Sequence, residues 1–262
     1  MNRIENAFKN EPIFMPYFPL GYPDIPTSVD VLEALAKNGA DVIEVGLSFS
    51  DPLADGPVIQ RATQIALEQG ITLPKALAGV AELRKRGVSI PLILMGYYIP
   101  ILSYGLSRFV KDATAAGADG FIIPDLPPEE SDDFVGALHA TSLPLIRMLA
   151  PTSPAERMES IARGAQGFIY LVSVTGITGE RRDISSGLAK LVAQVRAHTS
   201  APVCVGFGIG TPEQARAVGA IADGVIVGSA CVRAIGESGT PVAAAAAFAK
   251  SFAGALKTES RE

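Results

Sequence analysis

Eight short apolar runs recur along the chain, at residues 13–18, 42–45, 92–95, 120–123, 145–149, 168–172, 203–205 and 225–227, each followed by a stretch of helical periodicity. Apolar residues at consecutive positions are what a strand buried on both faces of a parallel sheet requires. Eight βα units in succession predict an α/β fold, a closed (β/α)8 TIM barrel with additional N- and C-terminal helices. A doubly wound open sheet is the alternative, and it usually has fewer units.

The approaches to the runs alternate in chemistry. Small-residue turns precede the even runs, at Gly39-Ala40-Asp41, Gly117-Ala118-Asp119, Gly164-Ala165-Gln166 and Ile221-Ala222-Asp223. In these, Gly is suited to end a helix and Asp to begin a turn. Pro91, Pro144 and Pro202 instead open odd runs, at the first strand position, where the missing N–H is tolerated. The repeat of this pair of approaches argues for repeated topology. No low-complexity linker or charge block divides the sequence, and the alanine-rich segment 243–247 reads as a terminal packing helix. Residues 1–262 are therefore expected to form one barrel domain.

Composition narrows the function classes. Lys and Arg number 22 against 27 Asp and Glu, a formal net charge of −5, so the chain has no basic field for a nucleic-acid backbone. Cys204 and Cys231 lie in separate apolar segments, and with only His139 and His198 for company they offer no zinc-ligand spacing, so no metal is expected. Charge interrupts the apolar residues near the N-terminus, and the longest late apolar run, 242–249, stops at Lys250. The chain reads as cytoplasmic, without signal peptide or membrane span.

In a (β/α)8 barrel the site forms at the C-terminal ends of the strands, so polar residues directly after each run matter most. The loop after the second run, from Glu44 to Pro57, is long and rich in carboxylates. Glu44 sits among Val42, Ile43 and Val45, where desolvation raises a carboxyl pKa and suits it to general acid–base work. The competing reading is a rim glutamate paired with a cation. Asp55 precedes Gly56 and is either a loop acid or half of an Asp-Gly turn, while Asp51 before Pro52 reads as a turn or hinge residue. The loop after the sixth run, 173–183, is polar and punctuated by Gly176 and Gly179, as a mobile lid would be.

Two further loops lead from a strand directly into a helix, Gly206-Phe207-Gly208-Ile209-Gly210-Thr211 and Gly228-Ser229. Unobstructed backbone N–H groups at a helix start cradle phosphate, and loops seven and eight are the usual place for it in this fold; tight turn geometry is the competing explanation. Tyr17, Tyr97 and Tyr170 fall near run ends and, with Met95 and Ile122, could line a pocket for a flat aromatic ligand. Core packing explains each of them nearly as well.

The segment Phe49-Ser50-Asp51-Pro52-Leu53-Ala54-Asp55-Gly56-Pro57, preceded by Glu44, resembles the signature of the tryptophan synthase α subunit family. The similarity continues through Leu20-Gly21-Tyr22-Pro23, Met95-Gly96-Tyr97, Pro124-Asp125-Leu126-Pro127, Gly176-Ile177-Thr178-Gly179, Gly206-Phe207-Gly208-Ile209 and Gly228-Ser229, in the family's order and approximate spacing. It covers essentially the whole chain.

The resemblance implies a barrel that cleaves indole-3-glycerol phosphate by a retro-aldol step to indole and glyceraldehyde 3-phosphate, with no cofactor of its own. Glu44 and Asp55 match the family's two catalytic carboxylates. In that scheme Glu44 moves protons to and from indole C3 and the glycerol hydroxyl, and Asp55 stabilises positive charge at the indole nitrogen. Gly179, Phe207, Gly208, Gly228 and Ser229 match phosphate-binding positions, Thr178 matches a lid residue that reaches the loop aspartate, and Tyr17, Met95, Tyr97 and Tyr170 match positions lining the indole pocket.

The family works as an αββα heterotetramer in which indole passes through a tunnel to the pyridoxal phosphate of the β subunit, so a β subunit is the implied partner. The sequence departs from the family at Ser48, where proline is usual. A stand-alone indole-glycerol-phosphate lyase and a non-catalytic activating subunit are the alternatives, the second weakened by the presence of both carboxylates.

Overall fold

Each apolar run forms a parallel strand, and the eight strands close on themselves in sequence order, with β8 paired to β1. The computed structural model describes residues 2–10, 12–172, 181–206 and 208–257. In chain order the elements are α1 (Arg3–Ala7), β1 (Ile13–Pro19), α2 (Ile25–Lys37), β2 (Ile43–Gly46), α3 (Pro57–Glu68), α4 (Leu73–Lys85), β3 (Leu92–Met95), α5 (Tyr98–Tyr104), α6 (Leu106–Ala116), β4 (Gly120–Ile122), α7 (Asp132–Leu138), β5 (Leu145–Leu149), α8 (Ala155–Arg163), β6 (Ile169–Val172), α9 (Arg181–Arg196), β7 (Val203–Gly206), α10 (Pro212–Gly219), β8 (Gly224–Val227), α11 (Ser229–Gly236) and α12 (Pro241–Lys257). The fold is the (β/α)8 barrel expected, with α1 and α12 as the additional terminal helices. Strand bounds differ from expectation by no more than one residue at either end.

Consecutive strand residues are buried because they serve two cores. Ile13, Met15, Val42, Ile93, Ile122, Ile146, Phe168, Cys204 and Ile226 fill the barrel interior, while Phe14, Phe18, Ile43, Val45, Leu92 and Leu94 pack outward under the helices. Helix α1 and the residues after it close one end of the interior: Ile4 is buried and the Phe8 ring lies 5.8 Å from that of Phe168.

The alternating approaches have a structural cause that a local turn alone does not supply. The aspartates of the small-residue turns reach sideways to the preceding odd strand. Asp41 accepts a hydrogen bond from the backbone N–H of Phe14 at 2.9 Å, Asp119 from Leu92 at 2.8 Å and Asp223 from Val203 at 2.8 Å. Leu92 and Val203 directly follow Pro91 and Pro202, so the carboxylate takes the first N–H that the proline leaves available. Each carboxylate is in turn held by cations, Asp119 by Arg3 and Arg84, Asp223 by Arg196 and Asp41 by Lys257. Gln166, at the equivalent place before β6, makes no such bond among the described residues.

Candidate active site

The barrel's eight strand ends surround a cavity of about 700 Å³. Four strands bring the expected residues to its wall. Tyr17 comes from β1, Glu44 from β2, Met95 from β3 and Tyr170 from β6, and Asp55 reaches the same cavity from the loop between β2 and α3. Gly208, Gly228 and Ser229 line it from the loops after β7 and β8.

The structure separates two expected residues from this wall. Ile122 is fully buried among the interior side chains of the barrel. Tyr97 stands behind the loop carboxylate and bonds to it. Thr178, Gly179 and Phe207 lie outside the described residues. The apolar wall includes Met148, Val172 and Ile226, which the sequence reading did not single out; the signal was their place at strand ends. Arg157 and Arg233, from α8 and α11, also line the cavity, and nothing in their local sequence marks them.

Glu44 is 1% exposed and its Oε1 has no hydrogen-bond partner among the described residues. With no cation beside it among the described residues, burial pushes its carboxyl up to about 8, so the group holds its proton at neutral pH. At this burial Glu44 is an interior strand carboxyl, not a residue of the solvent-exposed rim. Burial also raises Asp55, to about 6, against the opposing effect of the hydrogen bond it accepts from Tyr97 Oη at 3.1 Å. Two carboxyls on one cavity thus have well-separated proton affinities, the condition under which one acts as acid while the other stays ionised.

Two tyrosines lie over glycines. A Cβ at Gly46 would clash with Tyr17 Oη, and one at Gly206 with Tyr170 Oη. Glycine at the ends of β2 and β7 is therefore what lets each ring from the strand before it fold across its neighbour into the cavity. Burial and the nearby carboxyls hold both phenols well above their usual range, so they remain neutral.

The two helix starts beside the cavity differ. Helix α10 is closed by a capping box, in which Gln214 Oε1 takes the N–H groups of Gly210 at 2.7 Å and Thr211 at 3.2 Å. Helix α11 begins at Gly228 with no side-chain cap. No hydrogen bond is donated by the backbone N–H of Gly208, Ile209, Gly228 or Ser229 among the described residues. Donors at a helix start that nothing else satisfies are suited to an anion.

Large apolar side chains stand exposed on the loop that follows β2 and the helix that follows β3. Leu53 in the loop after β2 is 90% exposed, and Ile99 and Leu102 on α5 are 55% and 47%. No group of three or more metal-ligating side chains occurs among the described residues. No helix among them is long and apolar enough to cross a membrane.

A parallel barrel with two buried carboxyls of raised pKa at its strand ends, over a largely apolar cavity edged by an uncapped helix start, is arranged as the enzyme site of a small-molecule substrate. Known proteins narrow the class. The sequence profile described as Tryptophan synthase alpha chain matches residues 4–261. The tryptophan synthase alpha chain of Roseiflexus castenholzii is 47% identical over 261 residues, 97% of this chain and all of the relative. The crystal structure of tryptophan synthase subunit alpha from Legionella pneumophila superposes with a TM-score of 0.90 at 38% identity, covering 99% of this chain and 100% of that one. A chain in a crystal structure of tryptophan synthase from M. tuberculosis, in its aminoacrylate-bound form, gives a TM-score of 0.88 at 35% identity and covers 98% of this chain and all of its own. The chain belongs to the tryptophan synthase alpha chain family, a family of lyases of tryptophan biosynthesis.

Proposed function

We propose that the chain cleaves indole-3-glycerol phosphate to indole and glyceraldehyde 3-phosphate as the alpha subunit of tryptophan synthase, with Glu44 and Asp55 as its acid–base pair. The observation that carries this reading is the unpartnered, protonated Glu44 sharing a cavity with an ionisable Asp55. Neutral Glu44 donates its proton to indole C3, and the positive charge that develops at the indole nitrogen faces the Asp55 carboxylate. As the bond between indole C3 and the glycerol carbon breaks, its electron pair returns to the ring. The Glu44 carboxylate then takes the proton of the adjacent hydroxyl, which becomes the aldehyde. Glu44 gives one proton to indole C3, where it stays, and recovers another from the hydroxyl, so the residue ends the step protonated as it began and no cofactor is consumed.

Tyr17, Met95 and Tyr170 offer the indole ring its apolar faces, and Gly208, Gly228 and Ser229 offer the phosphate the open start of α11. Thr178, Gly179 and Phe207 complete the lid and phosphate edge in this reading. The exposed Leu53, Ile99 and Leu102 suit a partner of apolar surface, and we assign them to a β subunit that carries pyridoxal phosphate in a cytoplasmic αββα assembly.

The test is Glu44→Gln. The substitution keeps shape and removes the transferable proton. Turnover should fall by roughly three or more orders of magnitude, in the range that removal of a catalytic group produces, while a phosphate-bearing substrate analogue still binds. Turnover within a few-fold of the unsubstituted chain would remove Glu44 from the mechanism.

A further inference from the structure

A carboxylate on a surface loop needs an anchor to aim it, because loop side chains otherwise sample several rotamers. Around Asp55 the loop is mostly exposed, with Asp51, Leu53 and Ala54 open to solvent. Its other bonds are local. Leu53 N–H donates to Asp51 O, Asp55 N–H donates to Pro52 O, and Gln60 on α3 donates to Asp55 O.

Among the described residues, the side chain that reaches the loop from elsewhere in the barrel is Tyr97, at the end of β3 and the cap of α5. Its hydroxyl accepts from Ala54 N–H at 2.9 Å and donates to Asp55 Oδ2 at 3.1 Å, while its ring lies 5.7 Å from that of Phe49. One oxygen therefore fixes both the loop backbone and the carboxylate. The backbone directly after Tyr97 is held as well: the N–H of Tyr98 donates to Asp125 in the loop after β4, at 2.9 and 3.2 Å.

We propose that Tyr97 is a positioning residue, whose hydroxyl ties the loop after β2 to the barrel and fixes the direction in which Asp55 faces the cavity. This deepens the role assigned above to Asp55 and rests on it. Among the described residues, the other titratable groups on this cavity are Tyr17 from β1, Tyr170 from β6, Glu44 from β2 and the arginines Arg157 from α8 and Arg233 from α11. Neither arginine forms an ion pair with Asp55, whose shift comes from burial and from the Tyr97 hydrogen bond. Among the described residues Tyr97 is the group that donates to the Asp55 carboxylate and so favours its ionised form, opposing the burial that still leaves the carboxyl raised, at about 6.

Tyr97→Phe tests this with the ring and its contact to Phe49 retained. Loss of one hydrogen bond to a charged group should lower kcat roughly 10- to 100-fold with KM changed less than about twofold. The acid limb of the pH–rate profile, with a midpoint of about 6 in the unsubstituted protein, should move to higher pH. A second readout needs no turnover: in protein labelled with 13C at aspartate carboxyls, the Asp55 titration should shift upward in the same direction. A uniform fall in rate across pH with the Asp55 titration unmoved would reduce Tyr97 to packing and overturn the proposal, as would kcat within twofold. If the unsubstituted protein releases no indole, the proposed function fails, and the carboxyl titration still decides whether Tyr97 sets the state of Asp55.

Discussion

At the scale of single residues the cavity is a place where stability is exchanged for chemistry. Glu44 has a folded-state pKa of about 8 against an ordinary value of 4.5. The folded chain therefore keeps a proton that the unfolded chain releases, and stability falls as pH rises from 4.5 towards 8. The contribution of the neutral carboxyl is fully present below that window and gone above it. An amide in place of this carboxyl would not titrate, so Glu44→Gln should be more stable than the parent at pH about 8, by a few kcal/mol, with the difference shrinking towards pH 4.5. Urea unfolding of both proteins across that range measures it. Asp55 shifts in the same direction between 3.8 and about 6 but cancels in the comparison, since both proteins carry it. A difference independent of pH would mean that Glu44 is not raised. The elevated pKa was legible in sequence from Val42, Ile43 and Val45. The Tyr97 bond was not, because it joins residues 42 positions apart through a loop whose path no local pattern fixes.

At the scale of elements, the two-unit repeat in the sequence marked real structure, and its meaning differed from the local one. Asp41, Asp119 and Asp223 were legible as turn formers; in the fold they bridge to the preceding odd strand and satisfy its first free N–H. Side-chain reach across strands is invisible in one-dimensional spacing. Asp119 is the most demanding case, since it is buried between Arg3 and Arg84 and also accepts from Leu92. Asp119→Asn leaves the half-buried Arg84 without its charge partner and should destabilise the barrel by roughly 2–4 kcal/mol, read as a lower midpoint in chemical denaturation with the cavity chemistry unaltered in the folded fraction. A change under about 0.5 kcal/mol would show the bridge to be a surface pair. Helices α10 and α11 teach a similar lesson. Both glycine-rich starts looked alike in sequence, yet the Thr211 and Gln214 capping box closes one and leaves α11 open.

At the scale of the whole molecule, eight strands in closed order were readable because each is apolar on both faces and each approach is punctuated by Gly, Asp or Pro. The cavity wall was only partly readable. Met148, Val172, Ile226, Arg157 and Arg233 reach it through barrel closure, which brings β5, β6 and β8 to one mouth. The exposed Leu53, Ile99 and Leu102 lie on the loop and helix that Tyr97 joins, so a subunit docked there would act close to Asp55. The central claim is that this cavity cleaves indole-3-glycerol phosphate in concert with such a subunit. The direct measurement is indole release from indole-3-glycerol phosphate by the purified chain, alone and with a tryptophan synthase β subunit. Slow release that rises steeply when the β subunit is added is the predicted result; no release under either condition would contradict the reaction, and fast release indifferent to the β subunit would contradict the coupling.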